Sequence, residues 1–148
     1  SAVFLYLLTS GVGGFFGGPL ADRFGARGVM VWTLIAAVPF LALAPVLSPW
    51  LFTVMLAIGG LLLQSTLPVS VTYAQAITTA GAATVSSLMM GFAWGMGSLA
   101  VPLIGLAADR FGINAALVGL SAVPLLAAAL AAALPPRASK PAAAPAPP

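Results

Sequence analysis

The sequence contains no cysteine and no histidine, and only five Lys/Arg and two Asp/Glu among its 148 residues. Each shortage excludes a class of chemistry. Without cysteine there is no disulfide framework, no thiol nucleophile and no thiolate metal site. Without histidine the commonest general base and metal ligand is gone. The carboxylates, Asp22 and Asp109, lie far apart in loops. No catalytic residue, metal site or cofactor is therefore expected, and an enzyme is the least favoured reading. Five scattered cations do not make the basic stripe that nucleic-acid binding needs. A soluble domain carries roughly a quarter charged residues; here the fraction is 5%, against 61% hydrophobic. With a mean hydropathy of +1.15, the expected solvent is lipid.

What the chain does have is long apolar runs. Five can be read, 2–20, 29–46, 50–73, 83–106 and 114–134, each near the roughly 20 residues that cross a hydrocarbon core as a helix. The expected fold is all-α, with five transmembrane helices. Asp22-Arg23 with Gly25 and Gly28 breaks the first pair, and Pro45 with Ser48-Pro49 the second. Thr78-Thr79-Ala80-Gly81 breaks the third and Asp109-Arg110 with Gly112 the fourth. The Ala/Pro-rich tail, 135–148, cannot bury a core and is expected to be disordered. The sequence enters an apolar run directly after Ser1, with no basic lead-in, so no signal peptide is read and an upstream segment is expected.

The cations set the orientation. With five crossings the first connection and the tail share one side. Arg23, Arg27, Arg137 and Lys140 lie there, and only Arg110 lies opposite. The positive-inside rule makes that side cytoplasmic. The chain also repeats itself: Ala21-Asp22-Arg23-Phe24-Gly25 returns as Ala108-Asp109-Arg110-Phe111-Gly112 after three crossings. Like turns an odd number of crossings apart face opposite sides, as an inverted-topology repeat of three helices requires.

The stretch Gly18-Pro19-Leu20-Ala21-Asp22-Arg23-Phe24-Gly25-Ala26-Arg27 resembles the signature loop of the major facilitator superfamily, roughly G-x-L-a-D-r-x-G-r-r, with Ala26 where a second basic residue is common. Gly17 to Gly25, Val71-Thr72-Tyr73-Ala74-Gln75 and Leu88 to Gly97 resemble fosmidomycin-resistance-type exporters, although Ala76 stands where that group usually has an acid. The resemblance implies helices 8 to 12 and the cytoplasmic tail of a twelve-helix carrier, part of its C-terminal six-helix bundle. It implies a bacterial inner-membrane protein exporting a small drug in exchange for protons. Its partners would be the lipid bilayer, the substrate and the N-terminal half of the same transporter. In that family the Asp of the signature loop latches the two halves. Gly18, Asp22, Arg23, Gly25 and Arg27 are then the latch loop, and Asp109, Arg110 and Gly112 the related second turn.

The residues themselves leave plainer alternatives. Asp22 can be a cap for the second helix, and Arg23 and Arg27 can pair with it or anchor on lipid phosphates. Gly13, Gly14 and Gly17 on the first segment, and Gly91 and Gly95 on the fourth, have the four-residue spacing that lets helices approach closely in lipid. Gln64, Ser65 and Thr66, with Tyr6 and Ser10, are polar residues inside apolar segments. They must face either a partner helix or a substrate cavity. Tyr73 reads as an interfacial aromatic and Trp94 as a packing residue. Pro39, Pro68, Pro102 and Pro124 fall inside segments and can kink them. No carboxylate lies within a segment interior, so a proton-carrying group is expected in the other half. Two rivals stand beside drug export: a major facilitator carrier of another metabolite or organic anion, and a short membrane protein that packs without transporting.

Overall fold

The computed structural model describes residues 2–78 and 81–135. Thr79 and Ala80 of the third break, and the tail from Pro136 with Arg137 and Lys140, lie outside the described residues. Every regular element among the described residues is helical. They are α1 (Ala2–Phe24), α2 (Ala26–Leu43), a 3-10 turn (Ala44–Val46), α3 (Pro49–Ile77), α4 (Ala82–Phe111), α5 (Ile113–Leu120) and α6 (Val123–Ala132). Five spans are long and apolar enough to cross a membrane, α5 and α6 together forming the fifth.

The helices run further than the apolar segments do. α1 continues through Asp22 and Arg23, and α4 through Asp109 and Arg110. Nothing in Ala-Asp-Arg-Phe stops a helix; only the glycine that follows does. α3, with 29 residues, is about 44 Å long, the thickness of a bilayer including its headgroups. Its polar last turns therefore extend past the hydrocarbon. Ser48 is extended and Pro49 opens α3, where a missing N–H costs nothing.

Four prolines, Pro19, Pro39, Pro68 and Pro102, are carried inside continuous helices. Pro124 is different, because α5 ends at Leu120 and α6 starts at Val123. Pro124 cannot donate to the Leu120 carbonyl and its ring crowds it. The chain tightens there, with Ser121 N–H reaching both Leu117 and Val118 and Ala122 N–H reaching Gly119.

α3 is the central helix. It packs along α1 and α2, and α2 packs in turn against α6. α4 meets α5 and the end of α3, and Val85 is its one buried residue. The largest core cluster joins Val29 and Met30 of α2, Val69 and Tyr73 of α3, and Ala131 of α6. Large apolar side chains such as Phe4, Phe15, Trp32, Trp50, Phe92 and Trp94 point outward, as befits lipid-facing positions. Trp94, expected to pack, is exposed among the described residues.

Candidate functional site

α1 and α3 approach through glycine. A methyl built on Gly13 would overlap the Leu61 carbonyl, and one on Gly17 the Ser65 carbonyl while standing 3.2 Å from Pro68 Cγ. A methyl built on Gly14 would stand 3.9 Å from the Gln64 carbonyl, which Pro68 leaves without its helical donor. α3 reciprocates at Gly60, where a methyl would overlap the Tyr6 ring and stand 3.2 Å from Ser10 Oγ. Backbone-to-backbone approach of this kind holds helices together in lipid, where apolar burial gives little drive. Gly91 and Gly95 meet nothing within 4 Å, so no described residue fills the packing surface expected there. The α4 face that carries them is open among the described residues.

The polar residues expected to face either a partner helix or a cavity lie on α1 and α3. Ser65 is buried and its hydroxyl donates to the Leu61 carbonyl at 2.8 Å. Thr66 Oγ1 lies 2.8 Å from Thr33 Oγ1 of α2. The Thr33 proton goes to the Val29 carbonyl at 2.7 Å, which leaves Thr66 to donate to Thr33. Ser10 is buried and its hydroxyl has no partner among the described residues. Gln64 is half-buried. Of these residues only Tyr6 lines a cavity of about 630 Å³ between α1, α2, α3 and the α5–α6 break. Its walls are otherwise apolar apart from Ser121, including Leu34, Leu41, Phe52, Leu63 and Pro124.

The two repeated turns share one geometry. Gly25 has φ 81° and ψ 138°, and Gly112 has φ 86° and ψ 152°. Each is the only residue between two helices. Gly25 N–H donates to the Ala21 carbonyl and Gly112 N–H to the Ala108 carbonyl, both at 2.9 Å. Each glycine carbonyl then accepts the first bond of the next helix, from Val29 and Ala116, both at 3.1 Å. Phe24 and Phe111 are both exposed. This corrects the expected cap at Asp22. The carboxylate sits in the last turn of α1, the N-cap of α2 is Gly25, and no side chain bonds to that cap. Asp22 and Arg23 are exposed, Gly18 is open on the outer face of α1, and Asp109 and Arg110 are exposed at the end of α4.

Arg27 departs from the rest of the loop. Its Nη2 donates to the carbonyl of Ala132, the last residue of α6, where an orphan acceptor and the negative helix end both favour a cation. Tyr73 is buried, not an interfacial aromatic, and its hydroxyl donates to the Pro135 carbonyl at 2.9 Å. Neither contact, nor the role of Thr33, was singled out from the sequence. Thr33 is the lone hydroxyl of α2, which was a usable signal. The Tyr73 and Arg27 acceptors are main-chain carbonyls, which carry no sequence signature.

The Major Facilitator Superfamily profile matches residues 1–148. An uncharacterised MFS-type transporter, YfnC, of Bacillus subtilis (strain 168) is 37% identical over 126 residues, covering 85% of this chain and 31% of that protein. The fosmidomycin resistance protein of Escherichia coli (strain K12) is 32% identical over 124 residues, covering 84% of this chain and 30% of that protein. The chain thus spans about a third of the length of these curated relatives. No solved structure matches it significantly. A family match along the whole chain, five apolar helices and a signature loop closed by a positive-φ glycine agree: this chain is a membrane protein of the Major Facilitator Superfamily.

Proposed function

We propose that the chain is the C-terminal part, helices 8 to 12, of a carrier that moves a small molecule by alternating access, with a proton-driven drug export resembling fosmidomycin resistance. The observation that carries this reading is the pair of Asp-Arg-Phe-Gly turns. They share one backbone geometry and lie three spans apart, the arrangement of an inverted repeat in which two bundles rock about a midplane site. In this reading the first turn and the tail are cytoplasmic in a bacterial inner membrane, and Asp22 latches the bundles. The described spans hold no carboxylate away from a helix end, so the proton-carrying group belongs to the opposing half. Gln64 and Tyr6 are the best-placed candidates in this part for substrate contact, since Ser65 and Thr66 spend their hydroxyls inside the bundle.

The test is to express the full-length gene product in a fosmidomycin-sensitive bacterial host and to follow drug uptake into inside-out vesicles. Raised resistance, and uptake that stops when the proton gradient is dissipated, are expected. Unchanged sensitivity would remove the drug assignment, and uptake indifferent to the gradient would remove antiport. The Bacillus relative of higher identity is an uncharacterised transporter, so a carrier of another metabolite or organic anion stands as the second reading. Immunoblotting the native product separates both from a free-standing membrane protein. A carrier gives a polypeptide about three times the 14.7 kDa of this chain.

A further inference from the structure

The end of α6 is tied back to the bundle at two points. Its last carbonyl, that of Ala132, accepts from Arg27 in the first turn of α2, and the Pro135 carbonyl just beyond accepts from Tyr73 of α3 at 2.9 Å. Between these two points the packing is continuous. Ala131 is buried with Val29, Met30, Val69 and Tyr73, and Ala21 and Ala26 from either side of Gly25, with Leu134, pack against the same cluster. Arg27 is two residues past Gly25, so its position is set by the turn. Its acceptor is a helix-end carbonyl with no intrahelical donor, which makes the bond the natural C-terminal cap of α6.

We propose that Arg27 and Tyr73 form a two-point clamp that ties the end of α6 to the α1–α2 turn through Arg27 and to α3 through Tyr73, so that the turn and the end of α6 open and close as one unit. Arg27 is then a positioning residue, not a partner of Asp22. Any displacement of the turn must either carry the end of α6 with it or break the Arg27 bond and open the Ala131 cluster, which Tyr73 holds from α3. The chain leaving α6 at Pro135 is thereby tied to the turn. This deepens the latch reading of that turn, and its test does not depend on transport.

The test is hydrogen exchange read by mass spectrometry on the full-length protein in lipid nanodiscs, without substrate. Wild type is compared with Tyr73→Phe, Arg27→Gln and Arg27→Lys. Tyr73→Phe and Arg27→Gln are expected to speed exchange roughly threefold to tenfold over 128–134, as loss of one hydrogen bond at a helix end allows. They should speed it over 21–29 as well, leaving α4 unchanged; Arg27→Lys, which keeps a donor cation, should stay close to wild type. Joint loosening of two segments on different helices is a response that a purely local bond does not give. The proposal is overturned if 128–134 stays as protected as in wild type, or if it loosens while 21–29 does not. Because Tyr73→Phe removes one oxygen atom and no volume from the core, a folding failure of the Arg27 variants leaves the test standing. Absence of drug export by the full-length protein would sink the drug-export reading without touching this result.

Discussion

Gly25 and Gly112 are conformational copies of each other, 81° and 86° in φ, each standing alone between two helices and each passing one hydrogen bond back and one forward. Such a backbone is open to glycine and strained for any residue with a Cβ. Gly25→Ala and Gly112→Ala should each lower stability by about 1–3 kcal/mol, measured as thermal unfolding in detergent. Gly28→Ala, inside α2 with open space around it, should be neutral or slightly stabilising. Equal behaviour of all three would show that the turns do not depend on the positive φ.

The α1–α3 seam predicts a graded response. Gly13→Val and Gly17→Val push a side chain into main-chain carbonyls that cannot move aside and should cost about 1–3 kcal/mol or more. Gly11→Val and Gly18→Val project into open space and should change little. Monodisperse protein recovered by size-exclusion chromatography separates the two pairs.

The Thr33–Thr66 bond ties α2 to α3 at 2.8 Å. Because Thr33 also has the Val29 and Met30 carbonyls of its own helix within reach, the net worth of the bond should be modest. A double-mutant cycle with Thr33→Val and Thr66→Val should give a coupling energy of about 0.6 kcal/mol. A coupling near zero would mean that the two hydroxyls satisfy themselves on their own helices.

If Asp22 latches the two bundles, Asp22→Asn in the full-length carrier should slow transport about fivefold or more through a shifted conformational equilibrium. The apparent affinity for substrate should change less than the rate. An unchanged rate would reduce Asp22 to a solvated end-of-helix charge.

Much of this architecture was legible in the sequence because lipid leaves only a narrow choice. A run of about 20 apolar residues has to be a helix, and the Asp-Arg-Phe-Gly repeat marked both single-residue turns. Where the helices stop was less legible. Asp22 and Arg23 look like loop residues in composition, yet they continue α1, because charge alone does not break a helix and the first true breaker is Gly25. The break at Ser121–Ala122 was foreshadowed by Pro124, but Pro39, Pro68 and Pro102 carry the same signal and leave their helices continuous. The candidate site was the hardest to read. Small-residue spacing is present on both α1 and α4, yet only the α1 glycines Gly13, Gly14 and Gly17 meet a described neighbour, while Gly91 and Gly95 meet none. Spacing gives the capacity for close approach and not the identity of the partner. Arg27 and Tyr73 find main-chain carbonyls far away in sequence, which only the folded bundle brings near.

The measurement that bears most directly on this account is the sidedness of the two turns. Arg23 and Arg110 are equivalent exposed positions of the repeat, and this chain contributes no background cysteine. Arg23→Cys and Arg110→Cys would be made singly in the full-length protein, with any cysteine elsewhere replaced. Intact cells would then be treated with a membrane-impermeant maleimide. The account predicts labelling of Arg110→Cys from outside, and of Arg23→Cys only after the membrane is opened. Labelling of both positions from the same side would contradict the inverted repeat and, with it, the carrier mechanism built on it.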